Sequence, residues 1–96
     1  MSYNPTTVLE LVKARKERAG VETPAPLVTY WTQRIEAAGA ELTRKGIILE
    51  DTADDNALVA DLAVERINNR DNAKSDPEWL RLQIRHRFFQ QSRETV

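Results

Sequence analysis

The chain has no cysteine, a single histidine and only three glycines, none adjacent to another. Without cysteine there can be no disulfide staple, thiolate zinc site or cysteine nucleophile. Isolated glycines make no phosphate-cradling loop. A metal site needs several ligands, and a general base needs a nucleophile or substrate beside it, so His86 alone supplies neither. No apolar run exceeds four residues, too short for a membrane span. The opening MSYNPTTVLELVKARKERAG puts its charges after a short apolar stretch rather than before it, unlike a secretory signal. Excess charge is missing too. Fourteen Lys and Arg nearly balance fifteen Asp and Glu, for a net −1, whereas a dedicated nucleic-acid binder needs clustered cations. The expectation is a protein made in the cytoplasm that is no enzyme, takes no metal or cofactor and does not enter a membrane.

What is present is 96 residues, 41% hydrophobic and 30% charged. That is enough for one globular domain and too apolar for a disordered chain. A chain of this size buries only roughly 60–65% of its unfolded surface, so association would add core that a monomer lacks.

Four segments carry helical periodicity and none alternates like a strand. The pattern predicts an all-α fold, a small bundle of about four helices over residues 1–96. The first helix starts at Asn4-Pro5 or at Thr7, where Thr7 and Glu10 fit a capping box. Val8, Leu9, Leu11 and Val12 form its apolar face, and Gly20 stops it. Residues 21–26, with two prolines, read as an extended linker that sets off an N-terminal helix or arm (1–20) from a helical core (27–96), the first helix either folding back on its own core or docking on a neighbour.

The second helix, from about Leu27 to Lys45, carries Val28, Trp31, Ile35, Ala38 and Leu42 in a narrow seam. Gly39 marks a close helix approach, and Gly46 with Ile47 fits a Schellman cap. Residues 47–49 form a buried connector. Asp51 or Thr52 then caps a third helix, from about Ala53 to Asn69, with Leu58, Leu62, Ala63 and Ile67 as its stripe. Residues 68–75 are a polar loop. Asp76-Pro77-Glu78 caps and starts a fourth helix reaching about Arg93.

The acidic run Glu50, Asp51, Asp54 and Asp55 fails as a calcium loop. Asn56 stands where glycine is needed and Leu62 where a bidentate glutamate is needed. It reads better as a helix start whose carboxylates complement the helix dipole. Asp61 and Glu65 share a helix face but have no acid–base partner nearby in sequence. The fourth helix is the informative segment. At about 100° per residue, Leu80, Ile84 and Phe88 form one apolar stripe, and Trp79, Leu82 and Phe89 form a second, roughly opposite. An outer helix of a small bundle buries one stripe. Either this helix is central, or its second stripe meets a partner. Arg66 and Arg70 share one face of the third helix, and Arg81 and Arg85 one face of the fourth. Like charges at this spacing repel until an acid arrives. Some of them are expected to meet Asp51, Asp54 and Asp55 of an adjacent subunit, head to tail; the alternative is an ordinary solvated face.

Three stretches together resemble the head–tail connector (adaptor) proteins of tailed bacteriophages. They are Ile35-Glu36-Ala37-Ala38 running to Gly46-Ile47, then Asp51-Thr52-Ala53-Asp54-Asp55-Asn56-Ala57-Leu58, then Asp76-Pro77-Glu78-Trp79-Leu80-Arg81. The resemblance covers about residues 27–93 and leaves the charged first helix unexplained. It implies a structural virion protein, made in the bacterial host cytoplasm and sited at the head–tail interface. The chain would form a ring of its own copies, contacting the portal protein above and a tail-completion or stopper protein below. DNA would pass through the lumen without specific binding. Two alternatives come from other classes. One is a helix-turn-helix-like DNA-binding regulator, with Arg81, Arg85 and Arg87 on its recognition helix. The other is an assembly chaperone or scaffolding adaptor.

Overall fold

A computed structural model describes residues 2–17, 22–69 and 76–94, the last three by their backbone alone. Within these residues the chain forms four helices and no strand: α1 (Pro5–Lys16), α2 (Ala25–Arg44), α3 (Ala53–Asn68) and α4 (Glu78–Glu94). The expected helical bundle is present.

Helix α1 begins at Pro5, and the Asn4 side chain accepts from the Thr6 and Thr7 amides at 3.1 and 3.3 Å. Asn4 is therefore the cap, and Thr7 lies inside the helix rather than opening a capping box. Regular structure stops at Lys16; the expected stop at Gly20 lies outside the described residues. Helix α1 folds back on the chain's own core. Val8 and Val12 are fully buried in the common core, because α1 lies against both α2 and α3.

Helix α2 starts at Ala25, two residues before the sequence suggested. Pro26 lies in the first turn, where a missing N–H costs nothing. Trp31, Ile35, Ala38 and Leu42 are buried along the expected seam. The Schellman cap is complete: Ile47 N–H donates to the Leu42 carbonyl at 3.1 Å and Gly46 N–H to Thr43 at 3.0 Å. Gly46 has φ +92°, a left-handed conformation that side chains disfavour. Gly39 does permit a close approach, but of the Tyr3 ring rather than a helix.

Residues 47–49 are only partly the buried connector expected. Ile47 and Leu49 are buried while Ile48 is 63% exposed, since successive side chains of a chain without helical turns point to opposite sides. Thr52 caps α3 by accepting from the Asp55 amide at 3.1 Å. Helix α3 is the centre of the bundle: Leu58, Val59, Ala60, Leu62 and Ala63 are all buried. Residues 70–75 of the expected loop lie outside the described residues. Pro77 offers its carbonyl to the Leu80 and Arg81 amides at 3.1 Å and so starts α4. The Asp76 carboxylate is held by Arg66.

Candidate interaction surface

Helix α4 lies on the outside of the bundle. It buries Leu80 and Ile84 and exposes the second stripe: Trp79 is 51%, Leu82 53% and Phe89 56% exposed. A central position for this helix is thereby excluded. Phe88, the third member of the inner stripe, is 38% exposed. Its ring covers Gly46, where an added Cβ would come within 2.9 Å of it, and meets the Phe89 ring edge-on at 5.9 Å.

Two polar side chains fix α4 to the body. Arg87 donates from Nε and Nη2 to the two carboxylate oxygens of Asp55, at 2.6 and 3.0 Å, and from Nη2 to the Ile48 carbonyl at 2.9 Å. Gln91 accepts from Ile48 N–H at 2.8 Å and donates to the Gly46 carbonyl at 2.5 Å. Asp55 is only 2% exposed and also accepts from Glu50 N–H at 2.9 Å. This buried carboxylate therefore joins the start of α3, the connector and α4.

The predicted charges divide accordingly. Asp55 is occupied inside the chain rather than offered to a neighbour. Asp51 is exposed and accepts from the Asn56 amide group at 3.0 Å and from Asn4 at 3.4 Å. Asp54 is exposed. Arg66 is also committed internally: it grips Glu41 through Nε and Nη2 at 3.1 and 2.6 Å, and Asp76 through both terminal nitrogens. Burial alone would raise the Glu41 pKa, but Arg66 outweighs it and holds this carboxyl below its ordinary value. Arg66 hydrogen bonds lower Asp76 as well, against the opposing effect of burial. Asp76 and then Glu41 in turn raise the Arg66 pKa by accepting from it. Arg70 lies outside the described residues. Arg81 and Arg85 are exposed on α4.

Sequence reasoning missed Arg87, Gln91 and Glu41 as structural residues. Arg87 did leave a signal. It falls about 20° from Leu80 around the helix, on the buried side, where a cation needs an acid.

Between α3 and α4 runs an open groove of about 610 Å³. Ala57 and Leu58 lie on its α3 side and Trp79 and Leu82 on its α4 side, with Asp54, Asp61 and His86 among the lining residues. Asp61 is also paired with Arg15 of α1. A second, basic concavity lies across α4, lined by Lys45, Arg81, Ile84, Arg85, Phe88 and Phe89. Among the described residues no three His, Asp or Glu side chains are grouped to hold a metal, and no helix is long and apolar enough to cross a membrane. An exposed aromatic–aliphatic stripe flanked by charges of opposite sign can bind protein. No known protein family, curated protein or solved structure matches the chain.

Proposed function

We propose that this chain is a structural virion protein, a head–tail connector (adaptor) subunit that assembles as a ring between the portal and the tail of a bacteriophage. The observation that carries the binding role is the outward stripe of α4, Trp79, Leu82 and Phe89, each more than half exposed. Exposed large apolar residues, aromatic ones above all, are enriched at interaction sites. The assignment to a connector rests on the sequence resemblance over residues 27–93, with which the helical fold agrees. In this reading α4 supplies contacts to neighbouring copies or to the portal protein, and a tail-completion or stopper protein sits on the far side. DNA crosses the lumen without specific contacts, in keeping with a chain of net charge −1.

Light scattering over a range of concentrations, with and without a portal ring, tests the proposal. A large oligomer alone, or a monomer recruited to the portal, supports it. A monomer or dimer that ignores portal rings and shifts duplex DNA in a salt-sensitive way removes it and favours the regulator, for which Lys45, Arg81 and Arg85 would be the contact face. Stable association with assembling particles but absence from finished ones favours the assembly chaperone.

A further inference from the structure

The groove between α3 and α4 has the chemistry of an arginine receptor. It combines two carboxylates, Asp54 and Asp61, with the half-exposed indole of Trp79 and the side chain of Leu82. A guanidinium bonds a carboxylate in plane and stacks on an aromatic face, so a groove with both favours arginine over lysine. Its one arginine, Arg87, is committed to Asp55.

The complementary surface is on the same helix. Arg81 and Arg85 stand with Phe88 and Phe89 on the opposite flank of α4, and Lys45 extends the positive charge onto the end of α2. Among the described residues no carboxylate lines that concavity, and Glu78 is the one acid in the adjoining concavity that Arg81 and Arg85 also line. Arg81 acts on Asp76 only through longer-range electrostatics. At about 100° per residue, Arg81 and Arg85 lie roughly 150° around the helix from the mean of Trp79, Gln83, His86 and Gln90. The centres of the basic–aromatic and acidic–aromatic faces therefore point away from one another, while Leu82 and Phe89, about 20° apart, form the edge they share.

We propose that the acidic groove of one copy receives the Arg81–Arg85–Phe89 face of a second copy, so that subunits join head to tail. Two-fold pairing of the basic face with itself would set arginine against arginine. Unlike faces on opposite sides of one helix make a heterologous contact, which propagates and closes into a ring when the rotation permits. The inference rests on the self-association proposed above and assigns its two surfaces. It moves the acidic partner from Asp51 and Asp55 to Asp54, which is exposed, and to Asp61, which the incoming arginine would share with Arg15.

Charge-swap complementation of the full-length chain tests it, read as mass by light scattering with folding checked by circular dichroism. The wild type should exceed a dimer, with a mass that falls as salt is added. Arg81→Glu/Arg85→Glu and Asp54→Lys/Asp61→Lys should each weaken self-association on the order of tenfold or more. An equimolar mixture of the two should assemble again, since each carries the surface that the other lacks. If loss of the Arg15 contact unfolds the second variant, Asp54→Lys/Asp61→Asn takes its place. Three outcomes overturn the inference: a wild type that stays monomeric or stops at a dimer, either variant assembling as the wild type does, or a mixture that stays apart. Assembly insensitive to these changes overturns only the pairing of surfaces. A wild type that is monomeric and also ignores a portal removes the connector reading with it.

Discussion

Replacing Arg87 with methionine should substantially weaken the attachment of α4. Arg87 makes two bonds to the Asp55 carboxylate, one to the Ile48 carbonyl and a longer one, 3.4 Å, to Gln91. Removing it leaves a carboxylate that is 2% exposed with only the Glu50 N–H to serve it. Breaking a buried pair from one side costs about 3–5 kcal/mol. The Arg87 side chain is 14% exposed, so water reaches the site and the lower end, about 3 kcal/mol, is the better figure. In a domain of this size each kcal/mol moves Tm by roughly 4–8 °C, giving a fall of about 12–24 °C. The control is Arg15→Met, which removes a pair whose arginine is 38% exposed; exposed pairs contribute only about 0–1 kcal/mol. Converting the buried pair to Asp55→Leu/Arg87→Met should recover part of the loss. It cannot recover all, because Glu50 N–H loses its acceptor. Thermal and urea unfolding at pH 7, followed by circular dichroism, compare the four proteins. Equal destabilisation by Arg87→Met and Arg15→Met would refute the view that α4 is held by a buried ionic latch.

Three further changes probe the frame. Gly46→Ala should cost about 1–2 kcal/mol, from a positive φ and a Cβ forced against the Phe88 ring, read as a lower urea midpoint. Asn4→Ala should cost about 1 kcal/mol or more, because Asn4 caps α1 and its amide also reaches Asp51; Asn4→Asp should keep most of the cap, and thermal melts rank the three. Arg66→Met should flatten the acid limb of the stability curve. Glu41 and Asp76 have folded pKa values below their ordinary 4.5 and 3.8, so their contribution is present above that range and lost as pH falls through it. The wild type should therefore lose more urea resistance between pH 6 and pH 2 than the variant does; equal losses would show that Arg66 does not set these values.

Helix number and core were legible because apolar spacing is a local property. Trp31, Ile35, Ala38 and Leu42 repeat at three and four residues and are buried for that reason. The helix punctuation was partly legible. Gly46 and Ile47 form the cap their order suggests, whereas Pro26 misled because proline fits a first turn as readily as a linker. The two stripes of α4 could be read from its angles, but not that the helix lies outside and leaves one of them exposed. The partners of the charges could not. Arg66 meets Glu41 from 25 residues away, and Arg87 meets Asp55 from 32; only the packing of α2, α3 and α4 brings these together. A charged residue at the edge of a buried stripe, as Arg87 is, was the one sequence clue to such a pair.

That distribution of charge separates stability from assembly. The cations that face the body, Arg15, Arg66 and Arg87, each hold a carboxylate of the same chain across two helices or a connector. Trp79, Leu82 and Phe89 on α4 contribute little burial to the chain's own core, being more than half exposed. Arg81 and Arg85 stand exposed beside them. A bundle built only to fold would have little use for three large apolar residues on its outermost helix, since each leaves apolar area in water at about 25 cal/mol per Å². Retaining them makes physical sense when a partner covers them. Because α4 is anchored by Leu80, Ile84 and the Arg87–Gln91 latch on its other side, the helix can present that stripe on a fixed backbone. Docking then orders side chains rather than a helix, which keeps the entropic cost of association low.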